Sequence, residues 1–120
     1  MENQKSAIGL DGNIAALIGY VIGIVAIVLI FIEKDNKFVR FHALQSTFFH
    51  LGFFVVYFVL AILITIMAQI SSVFAFFGLL LLPLWLVWFG GMIYGAVKAY
   101  QGTMFKFPIV GNIAESMNNK

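Results

Sequence analysis

The stretch from Phe41 to Val97 reads FHALQSTFFHLGFFVVYFVLAILITIMAQISSVFAFFGLLLLPLWLVWFGGMIYGAV and contains no formally charged side chain. About twenty apolar residues are enough to cross the hydrocarbon core of a bilayer, which is about 30 Å thick. This stretch is therefore too long for one span, and it predicts two transmembrane helices joined by a tight turn. The most polar short cluster within it, residues 69–72, is the predicted turn and leaves spans over residues 46–68 and 73–97.

A third apolar run precedes this stretch. Residues 14–32 carry no formal charge and are long enough to cross the core. The run is longer than the roughly 7–15 apolar residues of a signal peptide, so we predict that it is retained as a first span. The charged loop 33–41 is predicted to lie at a membrane surface. The tail, residues 103–120, mixes apolar and polar residues and is predicted to be interfacial, with a shallow re-entrant segment as the alternative.

The composition indicates that lipid is the main solvent of the chain. Apolar residues make up 62% of it and charged residues only 10%, against roughly half and a quarter in soluble domains. The formal charge of +2 gives no reason to expect nucleic acid as a partner, and the absence of cysteine excludes disulfides and thiolate metal sites. The sequence thus predicts an all-α polytopic membrane protein with three transmembrane helices and a single membrane domain over residues 1–120.

The basic residues predict the orientation of these spans. Only Lys5 precedes the first span, whereas the other six basic residues lie in the first loop or after the third span: Lys34, Lys37, Arg40, Lys98, Lys106 and Lys120. Three spans put the first loop and the C-terminus on one side, and basic loops stay in the cytoplasm. We therefore predict a multi-pass protein of the cell (inner) membrane with its N-terminus outside and its C-terminus in the cytoplasm.

Small residues recur every four positions on the first and third predicted spans. They are Ala15, Gly19 and Gly23 on the first, and Gly91, Gly95 and Ala99 on the third. Such series let helix backbones approach closely in lipid. They predict helix-packing faces, either within one chain or between chains. Besides the bilayer, the partners that they suggest are a second copy of the chain or other membrane proteins.

A polar stripe enters the membrane on the second predicted span. His42, Ser46 and His50 are four residues apart and share a helix face, with Gln45 beside them and Arg40 half a turn earlier. One interpretation is a proton or ion path, or a binding site for an anionic group near Arg40. The other is structural, with His42 at headgroup level and His50 a neutral imidazole bonded to a neighbouring helix.

The sequence offers no catalytic residues and no cofactor or metal site. His42 and His50 are eight residues apart with no carboxylate near them in sequence, so a metal site is not predicted. The apolar region also lacks a serine elbow, a glycine-rich phosphate loop and a carboxylate pair. We therefore do not expect an enzyme.

Two segments carry a resemblance to a known family. Residues 33–46 read EKDNKFVRFHALQS, a charged turn followed by VRFHA-x-Q, and residues 100–111 read YQGTMFKFPIVG, in which Gly102 is predicted to end the last helix. The segments resemble a family of small uncharacterised prokaryotic membrane proteins related to the Tic twenty-kilodalton subunit of the chloroplast inner-envelope translocon. The resemblance implies an all-helical membrane protein whose plastid relatives, with four spans, take part in preprotein import and are proposed to line a channel.

Together these observations predict a small integral membrane protein without enzymatic activity. The expected role is a subunit or scaffold of a membrane complex, similar to a translocon component. The alternative is an oligomeric channel or carrier for protons, ions or small solutes, in which the polar stripe lines the path.

Overall fold

The computed structural model describes residues 4–119. The helices in chain order are α1 (Gly12–Val21), α2 (Gly23–Ile32), α3 (Lys37–Ile70), a 3₁₀ helix (Ser72–Leu80), α4 (Leu81–Tyr100) and α5 (Val110–Asn118). The molecule is elongated, with principal extents of 56 × 25 × 22 Å. The all-α prediction is confirmed for the described residues.

The uncharged stretch forms the long helical hairpin that its length predicts. α3 has 34 residues, about 51 Å at 1.5 Å per residue, and the helical segment Ser72–Tyr100 has 29. Both are long and apolar enough to cross a membrane. The turn lies at Ser71, within the predicted polar cluster. The 3₁₀ helix gives way to α4 just before Pro83, so the proline occupies a first helical turn, where its missing N–H costs little.

The single first span predicted over residues 14–32 is not confirmed. The helix breaks at Ile22, which has extended backbone (φ −117°, ψ 99°) and separates two helices of ten residues each. Each of these is about 15 Å long, half the thickness of the hydrocarbon core. They lie side by side, since a Cβ added to Gly19 would be 3.6 Å from that of Ala26. The structure therefore has two candidate membrane spans and a pair of half-length helices, α1 and α2, which we call the re-entrant hairpin.

The re-entrant hairpin begins and ends at the same end of the molecule. Glu33, directly after α2, accepts hydrogen bonds from Ser6 Oγ and, at 2.9 Å, from the backbone N–H of Ala7. Asn36 Nδ2 donates to the carbonyl oxygen of Gln4 at 2.8 Å. These contacts correct the prediction that the leader lies across the membrane from the charged loop. That prediction assumed a single crossing, whereas the hairpin returns to its starting side.

Burial is concentrated at this same end. The buried residues of α3 all fall between Phe38 and Ser46, whereas residues 51–70 point large apolar side chains outward. This pattern suits a chain in lipid, where apolar side chains face the solvent and polar groups face protein. The first turns of α3 are covered by α1, α2 and α5.

The chain after α4 folds back onto α3. Gly102 has φ +78°, and the N–H groups of Gly102 and Thr103 donate to the carbonyls of Ala99 and Lys98, both at 3.0 Å. This is a Schellman motif, so α4 ends at the predicted glycine. Residues 103–109, which we call the closing strap, then lead to α5, whose Ala114 is fully buried. The tail thus packs on protein through one face.

The small residues of both series make contacts within one chain. A Cβ on Gly91 would lie 2.6 Å from Phe49 Cζ, and one on Gly95 would lie 2.7 Å from Tyr20 Cε1. Gly23 lies next to His50, and both Ala15 and Ala99 are fully buried in the same core. Because these faces are occupied by helices of the same chain, they give no support to the homo-oligomer that the sequence suggested.

Gly95→Ala is expected to destabilise the protein by about 1–3 kcal/mol, the usual cost of overpacking. The new methyl group would clash with the ring of Tyr20, which is fully buried and has no room to move. Gly90→Ala is the matched control, because it lies in the same helix with nothing within 4 Å of the added Cβ. It should gain up to about 1 kcal/mol from helix propensity. Thermal unfolding in detergent checks both, and equal midpoints would contradict the close contact.

Candidate functional site

The polar stripe of α3 lies in a cluster that joins three helices. The polar cluster consists of Tyr20 from α1, Trp88 from α4 and four residues of α3: His42, Gln45, Ser46 and His50. Tyr20, His42, Gln45 and Ser46 are fully buried, and the other two are half-buried. Four of the five predicted candidate binding residues are therefore brought together, and Arg40 is not.

Ser46 and His50 cap the tip of the re-entrant hairpin. The break at Ile22 leaves the last carbonyl groups of α1 without their usual helical donors. Ser46 Oγ donates to the carbonyl of Gly19 at 2.8 Å, and His50 Nε2 donates to that of Tyr20 at 3.0 Å. An unsatisfied carbonyl in lipid costs several kcal/mol. These two side chains therefore allow the backbone to break inside an apolar environment.

The contacts of His50 fix its protonation. Trp88 Nε1 donates to His50 Nδ1 at 2.9 Å, while Nε2 faces the carbonyl of Tyr20. An indole N–H can only donate and a carbonyl can only accept, so the imidazole is neutral with its proton on Nε2. This is the arrangement of the structural interpretation. Both ring nitrogens are occupied, which leaves neither for a metal or a transferred proton.

Gln45 connects the closing strap to α1. Its Oε1 accepts from the backbone N–H of Phe107 at 2.8 Å. Its Nε2 donates to the carbonyl of Phe105 at 2.9 Å and to Tyr20 Oη at 2.7 Å. The amide therefore uses both of its donor hydrogens and its oxygen. It holds the strap in place without any regular secondary structure there.

His42 continues this chain of hydrogen bonds. Tyr20 Oη, which accepts from Gln45, donates to His42 Nδ1 at 2.7 Å, and His42 Nε2 donates to the carbonyl of Thr103 at 2.9 Å. Because the hydroxyl of Tyr20 already accepts from Gln45 and directs its own hydrogen to Nδ1, His42 in this arrangement is neutral with its proton on Nε2. It lies in the protein interior, with no exposed surface. Its edge-on contacts with the rings of Phe38 and Phe41 complete its surroundings.

Sequence reasoning missed two residues of the cluster, Trp88 and the more central Tyr20. Tyr20 is the centre of the hydrogen-bond chain, yet it stands in an apolar run that was assigned only to crossing the membrane. A signal was present, because a buried tyrosine hydroxyl usually has a hydrogen-bond partner. A single hydroxyl among aliphatic residues therefore points to a polar group on a neighbouring helix.

Arg40 lies apart from the polar cluster, against the end of α5. Its Nη1 donates to Asn118 Oδ1 at 3.2 Å, and Lys37 Nζ donates to the carbonyl of Asn118 at 2.6 Å. Asn118 Nδ2 in turn donates to the carbonyl of Lys37 at 3.1 Å. Two cations at the C-terminus of a helix also interact favourably with its dipole. Arg40 and Lys37 therefore fasten α5 to α3.

The cluster is suited to holding elements together, and its geometry offers no reactive pair. Within the part of the chain that the structure describes, no group of three or more histidine, aspartate or glutamate side chains is placed to hold a metal ion. The hydrogen bonds of the cluster run from the strap through α3 to α1. They act as an internal clamp on the re-entrant hairpin and the strap.

Comparison with known proteins identifies relatives along nearly the whole chain. Residues 4–114 match the magnetosome magnetite crystal formation protein family. A UPF0132 membrane protein of Methanocaldococcus jannaschii is 38% identical over 112 residues, which cover 92% of each chain. Another, of Archaeoglobus fulgidus, is 36% identical over 105 residues, 86% of this chain and 91% of its own. No solved structure matches the chain.

The sequence suggested a resemblance both to small prokaryotic membrane proteins and to a chloroplast translocon subunit, and these matches support only the first. The relatives are named as membrane proteins, in agreement with the two long apolar helices. Nothing in the comparisons supports a relationship to the chloroplast translocon subunit, so the translocon-like role loses its basis. Because the match covers residues 4–114, the chain belongs to the MamF/MmsF-like UPF0132 family. This is a membrane protein family of unknown function, whose description refers to magnetosome magnetite crystal formation.

Proposed function

We propose that this chain is a non-enzymatic subunit or scaffold of a membrane complex. The observation that carries the proposal is the internal use of the polar cluster. Both ring nitrogens of His42 and of His50, and the whole amide of Gln45, are bonded to groups of the same chain. The polar chemistry inside the apolar region thus serves the fold, which leaves the surface as the functional part.

The far half of the long hairpin provides a surface for other membrane proteins. There, residues 51–70 of α3 face the 3₁₀ helix and the first turns of α4, and the re-entrant hairpin reaches only to about His50. Large apolar side chains point outward, with Phe76 and Leu86 more than 70% exposed. Van der Waals packing between side chains is one of the forces that drive helix association in lipid. The description of the family refers to a process, crystal formation, and names no chemical reaction. A scaffold is consistent with such a description.

The alternative of a channel or carrier has less support. A path lined by the stripe requires His42, Ser46 and His50 to face water, but His42 and Ser46 are fully buried inside one chain. Opening a path would break the hydrogen bonds that cap the re-entrant hairpin. We therefore prefer the scaffold.

We also propose that both ends of the chain lie on the cytoplasmic side of the cell membrane. The basic residues of the described segment are Lys5, Lys34, Lys37, Arg40, Lys98 and Lys106. They all belong to segments that meet at the end of the molecule where the leader contacts the charged loop. The turn at the other end, residues 69–75, has no charge. Basic segments are retained in the cytoplasm.

Photo-crosslinking from an exposed position in the far half of the long hairpin tests whether the chain acts as a scaffold. Phe58 and Leu86 are 58% and 74% exposed, and a benzophenone side chain at either position is expected to give a discrete protein adduct in native membranes. The mass of the adduct shows whether the neighbour is a second copy or another protein. The same substitution at the half-buried Tyr57 is the control and should give several-fold less product. Lipid adducts alone at both exposed positions would contradict the proposal.

A further inference from the structure

A basic cavity lies where α2, α3 and α5 meet. Its volume is about 580 Å³, and its walls come from the end of α2, the charged loop, the first turn of α3 and the end of α5. The lining residues are Ile30, Phe31, Glu33, Lys34, Lys37, Arg40 and Met117. The cavity thus combines charged groups with apolar side chains at one end of the molecule.

The charge of this cavity is positive. Three cations face a single carboxylate, a net charge of +2. The carboxylate belongs to Glu33, which is 3% exposed and is already bonded to Ser6 and to the backbone of Ala7. Lys37 and Arg40 donate to neutral oxygens of α5, and Lys34 has no ion-pair partner among residues 4–119. Among residues 4–119, none of these three cations is therefore neutralised by an ion pair.

A second, apolar cavity lies further along α2 and α3. It has a volume of about 220 Å³ and is lined by Gly23, Ile24, Ile27, Thr47, His50, Leu51 and Phe54. On α2, positions 23, 27, 30 and 34 of the two cavities are three or four residues apart and share one face. On α3, positions 37, 40, 47, 51 and 54 also share one face, and the buried Leu44 lies between the two sets. We call these facing surfaces of α2 and α3, with the basic cavity at one end and the apolar cavity at the other, the groove.

We propose that this groove binds one anionic phospholipid. Its phosphate lies among Lys34, Lys37 and Arg40, and one acyl chain follows the face of α2 down to the apolar cavity beside Gly23. Clusters of basic residues next to membrane helices attract anionic headgroups, and a guanidinium matches the geometry of a phosphate. The groove is basic at one end and apolar at the other, as a phospholipid is anionic at its headgroup and apolar along its acyl chains. Gly23 lines the apolar end of this groove.

Titration of the purified full-length chain in detergent micelles tests this proposal. Phosphatidylglycerol is expected to raise the midpoint of thermal unfolding in a saturable way, because a ligand that binds only the folded state stabilises it. Phosphatidylcholine with the same acyl chains should not do so. Glycerol phosphate, which has the anion without the chains, should need at least about a tenfold higher concentration. An equal response to phosphatidylcholine, or to glycerol phosphate, would overturn the proposal.

Two matched variants locate the site. Lys34→Gln removes one cation without breaking an internal hydrogen bond, and it is expected to raise the dissociation constant for phosphatidylglycerol about fivefold, the usual effect of one basic residue at a membrane surface. Lys98→Gln makes the same change in charge in the last turn of α4, outside the cavity, and should leave the constant unchanged. Equal constants for the two variants would place the lipid elsewhere and overturn the assignment.

Discussion

Gln45→Leu is expected to lower the free energy of unfolding by about 2–4 kcal/mol. Leucine fills a similar space, so the loss comes from hydrogen bonds. It leaves the N–H of Phe107 and the carbonyl of Phe105 without their side-chain partner, and it removes the donor to Tyr20 Oη. Each unsatisfied buried group costs about 1–3 kcal/mol. The free energies measured for hydrogen bonds in membrane proteins lie at the low end of such values, and we therefore expect a total loss of about 2–4 kcal/mol.

The control for this prediction lies in the same helix. Gln69→Leu makes the same substitution at the other end of α3, where the side chain is exposed, and should change stability by less than about 0.5 kcal/mol. Unfolding of both variants in detergent gives the comparison. Hydrogen exchange adds a local measurement, because the amide of Phe107 should lose protection in Gln45→Leu. If Gln45→Leu unfolds like Gln69→Leu, Gln45 does not hold the strap.

Local signals in the sequence were enough to predict several parts of the fold. The absence of charge from Phe41 to Val97 predicts the long hairpin, and the polar residues near Ser71 mark its turn. Gly102 ends α4 because a residue with positive φ is needed there. Each of these depends on residues that are close in sequence.

The break at Ile22 depends on residues that are far away in sequence. Residues 14–32 have the length and composition of a span, and hydropathy alone does not distinguish one crossing from two half-length helices. What stabilises the break is the pair of side chains from α3, Ser46 and His50, that bond to the carbonyls of α1. The spacing of the polar stripe predicted that these residues share a face. It did not predict that the face receives the tip of a hairpin.

The predicted orientation depends on the predicted number of spans. The positive-inside rule was applied to three crossings, and it left Lys5 on the wrong side as an exception. With a hairpin that returns to its starting side, Lys5 joins the other basic residues. The series of small residues indicated close packing. Its partners, Phe49 and Tyr20, lie on other helices, and the sequence around the glycines does not identify them.

Cysteines introduced one at a time at residues 8, 34 and 73 are expected to separate into two groups by labelling. The chain has no cysteine of its own, and all three positions are exposed, Ile8 at 42% and Val73 at 67%. A membrane-impermeant maleimide added to intact cells should label only Val73→Cys. In inverted vesicles it should label Ile8→Cys and Lys34→Cys and not Val73→Cys. The difference at each position is between full labelling and none.

The decisive comparison is between residues 8 and 34, because they flank the re-entrant hairpin. If α1 and α2 form one continuous span, these positions lie on opposite sides of the bilayer and never react together. If the contact between Glu33 and Ala7 is present, both positions react in the same preparation and both are protected in the other. Val73→Cys then decides the orientation, since the uncharged turn must lie opposite the basic end. Labelling of Ile8→Cys together with Val73→Cys, with Lys34→Cys protected, would contradict the hairpin and restore the crossing over residues 14–32.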